Sequence, residues 1–177
     1  MSTRTRAMLL VVIQCLLVSS IGAKYLYERA TRPRVWVQAA QYDPDLPMRG
    51  RYLALSPMVD ACDVVLKPPA DEKNPHWYQN GVVQLEARDG KLVAEDAWGR
   101  LPRGDFQHVM VTDRIPCDRA QLSPGINYFI PEHAKSPFPL KPGQELWVEV
   151  TVPPSGPPRA IQLALSDNGK WQVLKFE

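Results

Sequence analysis

A run of apolar residues near the N-terminus constrains this chain more than any other feature. Residues 7–23 read AMLLVVIQCLLVSSIGA, with Gln14 and the Ser19-Ser20 pair as the polar interruptions. A soluble helix needs only one apolar face, so an apolar surface on every side indicates a membrane segment. As a helix these residues span about 26 Å, and extension to Tyr27 reaches the roughly 30 Å of a bilayer core.

The residues after this segment favour a retained anchor. Lys24 can extend its ammonium group toward water, and Tyr25 and Tyr27 lie where an interfacial aromatic belt belongs. The rest of the chain then forms one domain, since its length suits a single core. The sequence predicts a basic cytoplasmic flank at 1–6, a transmembrane anchor at 7–27, a stalk at 28–34 and an exported β-rich domain at 35–177.

A cleaved secretory signal is the alternative to an anchor. Arg4 and Arg6 form a basic start, and Ser20-Ile21-Gly22 offers small residues before a cleavage point. Gln14 does not suit the small position that precedes a lipidated cysteine at Cys15. Both remaining readings carry the domain across the membrane.

The charges around the segment oppose that orientation. Only Arg4 and Arg6 precede the segment, whereas four basic residues follow it closely, namely Lys24, Arg29, Arg32 and Arg34. The positive-inside rule alone would keep the domain cytoplasmic. The short N-terminal flank and the cysteine usage favour export. We therefore expect a single-pass membrane protein with its domain on the exported side.

Composition excludes some classes of partner. The chain carries 21 Lys and Arg against 19 Asp and Glu, and Arg4 and Arg6 account for the excess, so residues 24–177 have no formal net charge. Nucleic acid requires a basic field, and we expect no nucleic-acid partner. The 18 prolines also exclude long helices from most of the domain.

Cysteine usage predicts a disulfide. Cys62 and Cys117 are the two cysteines outside the apolar segment, and a pair in an exported domain is usually bonded. The alternative is two buried free thiols, which a cytoplasmic location would favour.

Alternating apolar and polar residues predict a mainly β fold, an antiparallel β-sandwich or barrel behind one N-terminal transmembrane helix. Asp89-Gly90 and Asn168-Gly169 are hairpin turns. Proline-rich or turn-rich loops are predicted at 67–81, 98–105 and 132–143. Strands are predicted at 35–42, 52–55, 59–66, 82–88, 91–96, 108–115, 146–152, 161–165 and 171–176, with a further apolar run at 127–131.

The segment 48–55, MRGRYLAL, resembles the motif of the GDYXXLXY family of bacterial membrane-anchored proteins. Gly50, Tyr52 and Leu55 agree with the motif, while Arg51 replaces its acidic residue and Pro57 its second tyrosine. The context is similar too, with a membrane segment, a basic stretch, a first strand and an Asp-Pro turn before the motif. A later family segment resembles Tyr128–Glu132, where an aromatic strand ends near a glutamate.

This resemblance implies an anchored or exported domain of unknown activity, often encoded beside multi-spanning membrane proteins, and it supplies no catalytic residues. The residues themselves allow two interpretations. Gly50 can permit a bulge while Tyr52 and Leu55 anchor the strand in the core. Alternatively, the turn and Tyr52 form a docking surface for a membrane partner.

A second candidate binding region is the loop 75–80, PHWYQN, in which Trp77 and Tyr78 adjoin amide side chains. Such a patch can stack on a sugar or hold a peptide. The other interpretation is that Trp77 folds back over an open end of the fold. The candidate interaction residues are Gly50, Arg51, Tyr52, Leu55, Trp77, Tyr78 and Glu132.

The sequence predicts no metal, cofactor or catalytic group. His76, His108 and His133 lack a metal-ligand spacing, and neither a Gly-x-Ser-x-Gly elbow nor a phosphate-binding glycine loop is present. A signal-peptidase-like layout would need a serine in 31–48, which has none. We therefore predict a non-enzymatic accessory module for an integral membrane partner, with a glycan- or peptide-binding domain of the cell envelope as the alternative and an anchored hydrolase third.

Overall fold

The structure is a computed structural model, which describes residues 3–43, 52–64, 78–97, 107–112, 115–154 and 156–176. The chain divides into two compact units, residues 1–32 and 33–177. The first is a helix and the second is a β domain. The prediction of a mainly β, antiparallel fold behind an N-terminal helix is confirmed.

Helix α1 extends over Thr3–Thr31 and has 29 residues, about 43 Å at the usual rise per residue. Its side chains from Arg4 to Tyr27 are all exposed. Within the described residues it is the helix long and apolar enough to cross a membrane. A helix of this length and apolar composition suits a single-pass anchor.

The helix ends later than the sequence predicts. It continues through residues 28–31 of the predicted stalk, where Arg32 N donates to Glu28 O at 2.9 Å and Thr31 Oγ1 donates to Tyr27 O at 2.8 Å. Pro33 restricts the residue before it and ends the helix. Only Arg32 and Pro33 separate α1 from the first strand.

The β domain contains ten strands in the described residues. A 3-10 turn at Cys117–Arg119 precedes the sixth strand. The strands are β1 (Arg34–Asp43), β2 (Tyr52–Val59), β3 (Tyr78–Arg88), β4 (Lys91–Asp96), β5 (Gln107–Thr112), β6 (Ala120–Ser123), β7 (Ile126–Phe129), β8 (Gln144–Thr151), β9 (Arg159–Asp167) and β10 (Lys170–Val173).

All of these strand pairs are antiparallel, in the order β10-β9-β8-β1-β2-β6-β5-β3-β4, and β7 pairs with β2 beside this path. Strand β2 is the junction of the sheet. Its first half pairs with β7, its second half with β6, and its other side with β1.

Strands β2, β6, β5, β3 and β4, which are neighbours in that order, close into a ring. Asp60, which follows β2, forms a parallel bridge with Val93 of β4. Asp60 N donates to Leu92 O at 3.0 Å, and Ala94 N donates to Asp60 O at 2.7 Å. These bonds give β4 a neighbour on its second side, so β2, β6, β5, β3 and β4 form a small barrel.

A single apolar cluster fills the domain. Branched aliphatic residues alternate inward on most strands, as the period of two requires. On β8, Leu146, Val148 and Val150 are fully buried, while Trp147 and Glu149 face outward. Other fully buried side chains come from the remaining strands, among them Leu55, Val59, Val83, Val109, Leu122 and Leu163.

Both predicted hairpin turns are present. Asp89 and Gly90 have φ of 51° and 75° between β3 and β4, and Asn168 and Gly169 have φ of 48° and 85° between β9 and β10. Two successive positive φ angles are the conformation that Asp-Gly and Asn-Gly turns favour.

The sequence prediction of two strands separated at Ser56-Pro57 is wrong. Strand β2 continues through Pro57, at the point where pairing passes from β7 to β6. Pro57 lies between the residues that pair with β7 and those that pair with β6, and on its other side it pairs in register with Ala39 of β1, so the strand continues through it. Ser56 Oγ donates to Leu122 O of β6 at 3.0 Å and helps to join the two halves.

The prediction of a loop over 67–81 is wrong at its end, because β3 begins at Tyr78. Tyr78 to Val83 pair with Thr112 to Gln107 of β5, and this pairing overrides the turn preference of Asn80-Gly81. The remainder of that loop and the loop predicted at 98–105 lie outside the described residues. Strand β6 was not predicted, because its four residues, Ala120–Ser123, are too few to show an alternating pattern.

Candidate interaction site

The structure separates the seven candidate interaction residues. Gly50, Arg51 and Trp77 lie outside the described residues, and Tyr78 starts β3 opposite Thr112. The other three are described in full: Tyr52 and Leu55 belong to β2, and Glu132 follows β7.

Tyr52 lies directly opposite Phe129 across the β2–β7 pair. The ring centroids are 6.4 Å apart and the ring planes are tilted by 58°. Phe129 is 72% exposed, the highest value among the large apolar side chains described in the domain, whereas Tyr52 is half-buried. Two aromatic rings on one outward face form an apolar patch, which we call the Tyr52–Phe129 surface.

This pairing joins two segments that are distant in sequence. Leu53 pairs with Tyr128 and Leu55 with Ile126, so the motif at 52–55 and the aromatic segment at 126–129 form one antiparallel ribbon. Tyr128 faces away from Phe129 and contacts Phe176, with ring centroids 5.9 Å apart. The two segments on which the family resemblance rests are therefore neighbours in the sheet.

Strand alternation divides the motif between surface and core. Leu55 is 0% exposed and belongs to the apolar cluster. It cannot contact a partner directly, so its place among the candidate interaction residues is corrected to a packing role. Tyr52, three positions earlier, points to the opposite face.

Glu132 follows β7, the strand that carries Phe129. It is exposed, three residues after Phe129, and Ile130 between them is buried. The segment 130–143 contains no strand. A carboxylate thus follows the aromatic strand on the exposed side of the chain.

Cys62 and Cys117, the pair that the sequence predicts to be bonded, are joined by a disulfide with a Cα–Cα distance of 4.8 Å. Ala61 N also donates to Cys117 O at 2.9 Å. The bond ties the turn after β2 to the turn before β6. Cys15 is a free, exposed cysteine of α1.

Sequence reasoning did not find a cluster of tryptophans on the outer face of β1, β8 and β10. The Trp171 ring lies 5.1 Å from Trp36 at 87° and 5.5 Å from Trp147 at 56°. The signal was present, because each residue occupies an outward position of its strand. What the sequence lacked was the strand order that brings β1, β8 and β10 together.

An open cleft of about 260 Å³ lies beside this cluster, with Trp36 and Trp147 in its lining. Charged side chains from three separate turns reach the same cleft: Asp60, Lys91, Asp118 and Arg119. Sequence reasoning missed this site as well, since its residues meet through the pairing of β1 with β8 and β2 and through the bridge between Asp60 and β4.

Other chemical features of the described residues are few. No group of three or more His, Cys, Asp or Glu is placed to hold a metal ion in the described ranges. Arg88 donates hydrogen bonds to Glu86 and Glu95 on the β3–β4 hairpin, and these bonds raise the pKa of Arg88 above its usual value. The three side chains are about half exposed, so this cluster is a surface ion pair of the hairpin rather than a site.

Comparison of the chain with protein-family models, with curated proteins and with solved structures found no match.

Proposed function

We propose that this protein is a single-pass, membrane-anchored accessory module whose β domain docks on an integral membrane protein through the Tyr52–Phe129 surface. The pairing of Tyr52 with the 72% exposed Phe129 is the observation that carries the proposal. An exposed aromatic pair on a sheet face is typical of an interaction surface, since water disfavours so much apolar area in the free protein.

The helix supports the choice of partner. A helix that is apolar on every side is suited to lipid, and an anchored domain meets other membrane proteins at high local concentration. The resemblance of residues 48–55 and 128–132 to the GDYXXLXY family also supports an integral membrane partner, because such proteins are often encoded beside one.

Two features bear on the side of the membrane. The Cys62–Cys117 disulfide favours an oxidising compartment. The basic residues that follow the apolar segment, Lys24, Arg29, Arg32 and Arg34, favour the cytoplasm. We assign more weight to the disulfide, because a reducing cytoplasm would not maintain it, and we propose the periplasmic side of a bacterial inner membrane.

Capture of the partner tests the proposal. The full-length protein with an affinity tag is crosslinked in membranes and purified, in wild-type form and as Phe129→Asp. We expect one stoichiometric integral membrane protein with the wild type and at least about a tenfold loss with Phe129→Asp, since a charge would be buried at the interface.

Val173→Asp is the matched control, because Val173 is also an exposed apolar residue of the sheet but lies on β10. Its capture should equal that of the wild type. Equal capture by Phe129→Asp, or equal loss with both variants, would argue against the Tyr52–Phe129 surface. Absence of any membrane protein from the wild-type sample would reject the accessory role.

A further inference from the structure

The cleft beside the tryptophan cluster has an apolar wall. Trp36 of β1 and Trp147 of β8 line it, together with the thioether of Met58 from β2. Both indole rings are held in place before any ligand arrives, because Trp171 packs against each of them. Trp147 Nε1 also donates to Glu145 Oε2 at 3.2 Å. A ligand would therefore meet rings whose rotamer entropy has already been lost.

The remaining wall of the cleft is polar, and a disulfide joins the segments that carry it. Asp60 precedes Cys62 by two residues, and Asp118 and Arg119 directly follow Cys117, so the Cys62–Cys117 bond connects the two segments that supply these side chains. Asp60 is fixed further, since its Oδ1 accepts a hydrogen bond from Cys62 N at 3.2 Å. The main-chain bonds between Asp60 and β4 bring Lys91 to the same rim.

The charged groups on this wall have not neutralised one another. Among the described residues, the side chains of Lys91, Asp118 and Arg119 make no ion pair and no hydrogen bond. Two carboxylates, an ammonium and a guanidinium thus face the cleft, and Gln38 adds an amide. The cleft can donate and accept hydrogen bonds at once.

This mixture selects the chemistry of the ligand. A simple anion would use only the hydrogen-bond donors of the cleft, and a simple cation would use only its acceptors. A wholly apolar ligand would remove water from four charged groups and offer them no hydrogen bonds in return. A polyhydroxylated ring fits, because each hydroxyl both donates and accepts, while the C–H face of the ring can stack on indole.

We propose that the cleft binds one sugar unit of a glycan, an uncharged hexose or N-acetylhexosamine ring stacked on Trp36 and Trp147. The size agrees, since about 260 Å³ is below the roughly 300 Å³ of pockets that enclose drug-sized molecules and admits one ring or a chain end. The cleft is separate from the Tyr52–Phe129 surface, because Tyr52 and Met58 are six residues apart on β2, about 20 Å along the strand.

Titration with defined oligosaccharides tests this site. The full-length protein is held in dodecyl dimethylamine oxide micelles, whose head group is not a sugar, and chitotriose, maltotriose and trialanine are added separately. Calorimetry gives the Kd, and indole N–H resonances report the tryptophans. We expect at least one of the two oligosaccharides to bind with Kd below about 1 mM and to shift the Trp36 and Trp147 signals.

Variants on both walls identify the site. Trp147→Ala should weaken oligosaccharide binding about tenfold, and Trp147→Phe should restore part of it, because a smaller ring still stacks. Asp118→Ala and Arg119→Ala should each weaken binding by about tenfold. Both side chains are exposed, so these variants fold even if Trp147→Ala does not. Phe129→Ala is the control and should leave the Kd unchanged.

Three results would overturn the proposal. The first is no binding of either oligosaccharide at about 10 mM. The second is an oligosaccharide Kd that is the same for the wild type, Asp118→Ala and Arg119→Ala. The third is binding of trialanine with the losses predicted for sugars, which would make the cleft a peptide site. None of these results bears on capture of a membrane partner, so the two proposals fail separately.

Discussion

Tyr52 and Phe129 lie opposite each other on β2 and β7 with their ring centroids 6.4 Å apart, and Phe129 is the more exposed of the two. The contact lies where two distant parts of the sequence become one antiparallel ribbon. On the same ribbon Leu55 faces the core. A three-residue step in sequence thus separates a surface that can meet a partner from a side chain that holds the strand in place.

Leu55→Ala should reduce the free energy of unfolding by about 2–5 kcal/mol, because a fully buried leucine leaves a cavity when it is truncated. Phe129→Ala should change it by less than about 1 kcal/mol, since most of the ring is already in water. Urea denaturation of both variants, followed by circular dichroism, measures the difference. Equal losses would mean that Phe129 is a core residue and that the surface assigned to it is wrong.

Tyr52→Phe separates packing from a role of the hydroxyl. Among the described residues the Tyr52 hydroxyl makes no hydrogen bond, so the free energy of unfolding should change by less than about 0.5 kcal/mol. Partner capture should be retained as well if the ring alone docks. Retained stability with lost capture would show instead that the hydroxyl contacts the partner.

Loss of the disulfide should destabilise the domain without unfolding the helix. Cys62 and Cys117 are 55 residues apart in sequence, and closure of such a loop is worth about 4 kcal/mol in the chain-entropy model. Cys117→Ser should therefore lower the free energy of unfolding by about 2–5 kcal/mol. Cys15→Ser is the control, because Cys15 is exposed on α1 and takes no part in the domain.

The same pair can be checked by alkylation of the protein unfolded in sodium dodecyl sulfate, which exposes all of its thiols. Mass spectrometry should find Cys15 alone labelled before reduction and all three cysteines labelled after it. Labelling of Cys62 and Cys117 before reduction would contradict the bond and would remove the main support for the periplasmic side.

Ser56→Ala should cost about 1–2 kcal/mol of unfolding free energy. Its hydroxyl is buried and donates to Leu122 O at 3.0 Å where β2 passes from β7 to β6, so the variant leaves a buried carbonyl without that donor. Ser166→Ala is the matched control on β9, where the serine is only half-buried, and should change stability by less than about 0.5 kcal/mol. Similar values for the two serines would show that the bond to Leu122 is not made.

Orientation can be tested directly with fusions. Alkaline phosphatase fused after residue 177 should be active, because the enzyme needs an oxidising compartment for its own disulfides. An inactive fusion that is nevertheless expressed would place the domain in the cytoplasm, in agreement with the charges of Lys24, Arg29, Arg32 and Arg34.

The sequence predicts those parts of the fold that local physics decides. The apolar helix follows from composition alone, the β3–β4 and β9–β10 hairpins follow from Asp-Gly and Asn-Gly, and β8 follows from its strict alternation. Tertiary pairing decides the rest. Pro57 lies inside β2, where it pairs with Ala39 of β1, and Tyr78 to Gly81 are extended because β5 pairs with them.

The candidate sites show the same division. Tyr52 could be selected from its motif, but its neighbour Phe129 required the β2–β7 pairing. The cleft required more, since Trp36, Trp147 and Asp118 come from three parts of the chain that only the tertiary structure brings together. The type of a residue such as Tyr52 can suggest that it binds a partner, but the strand pairing is needed to show which side chains lie beside it.

Site-specific photocrosslinking at position 129 tests the central claim most directly. A benzoylphenylalanine in place of Phe129 preserves an aromatic ring at the exposed end of β7, and the same residue in place of Val173 on β10 provides the control. After irradiation of intact cells, we predict one crosslinked band at position 129 that contains an integral membrane protein, and no such band at position 173. Equal crosslinking at both positions, or no membrane protein at position 129, would contradict a docking role for the Tyr52–Phe129 surface.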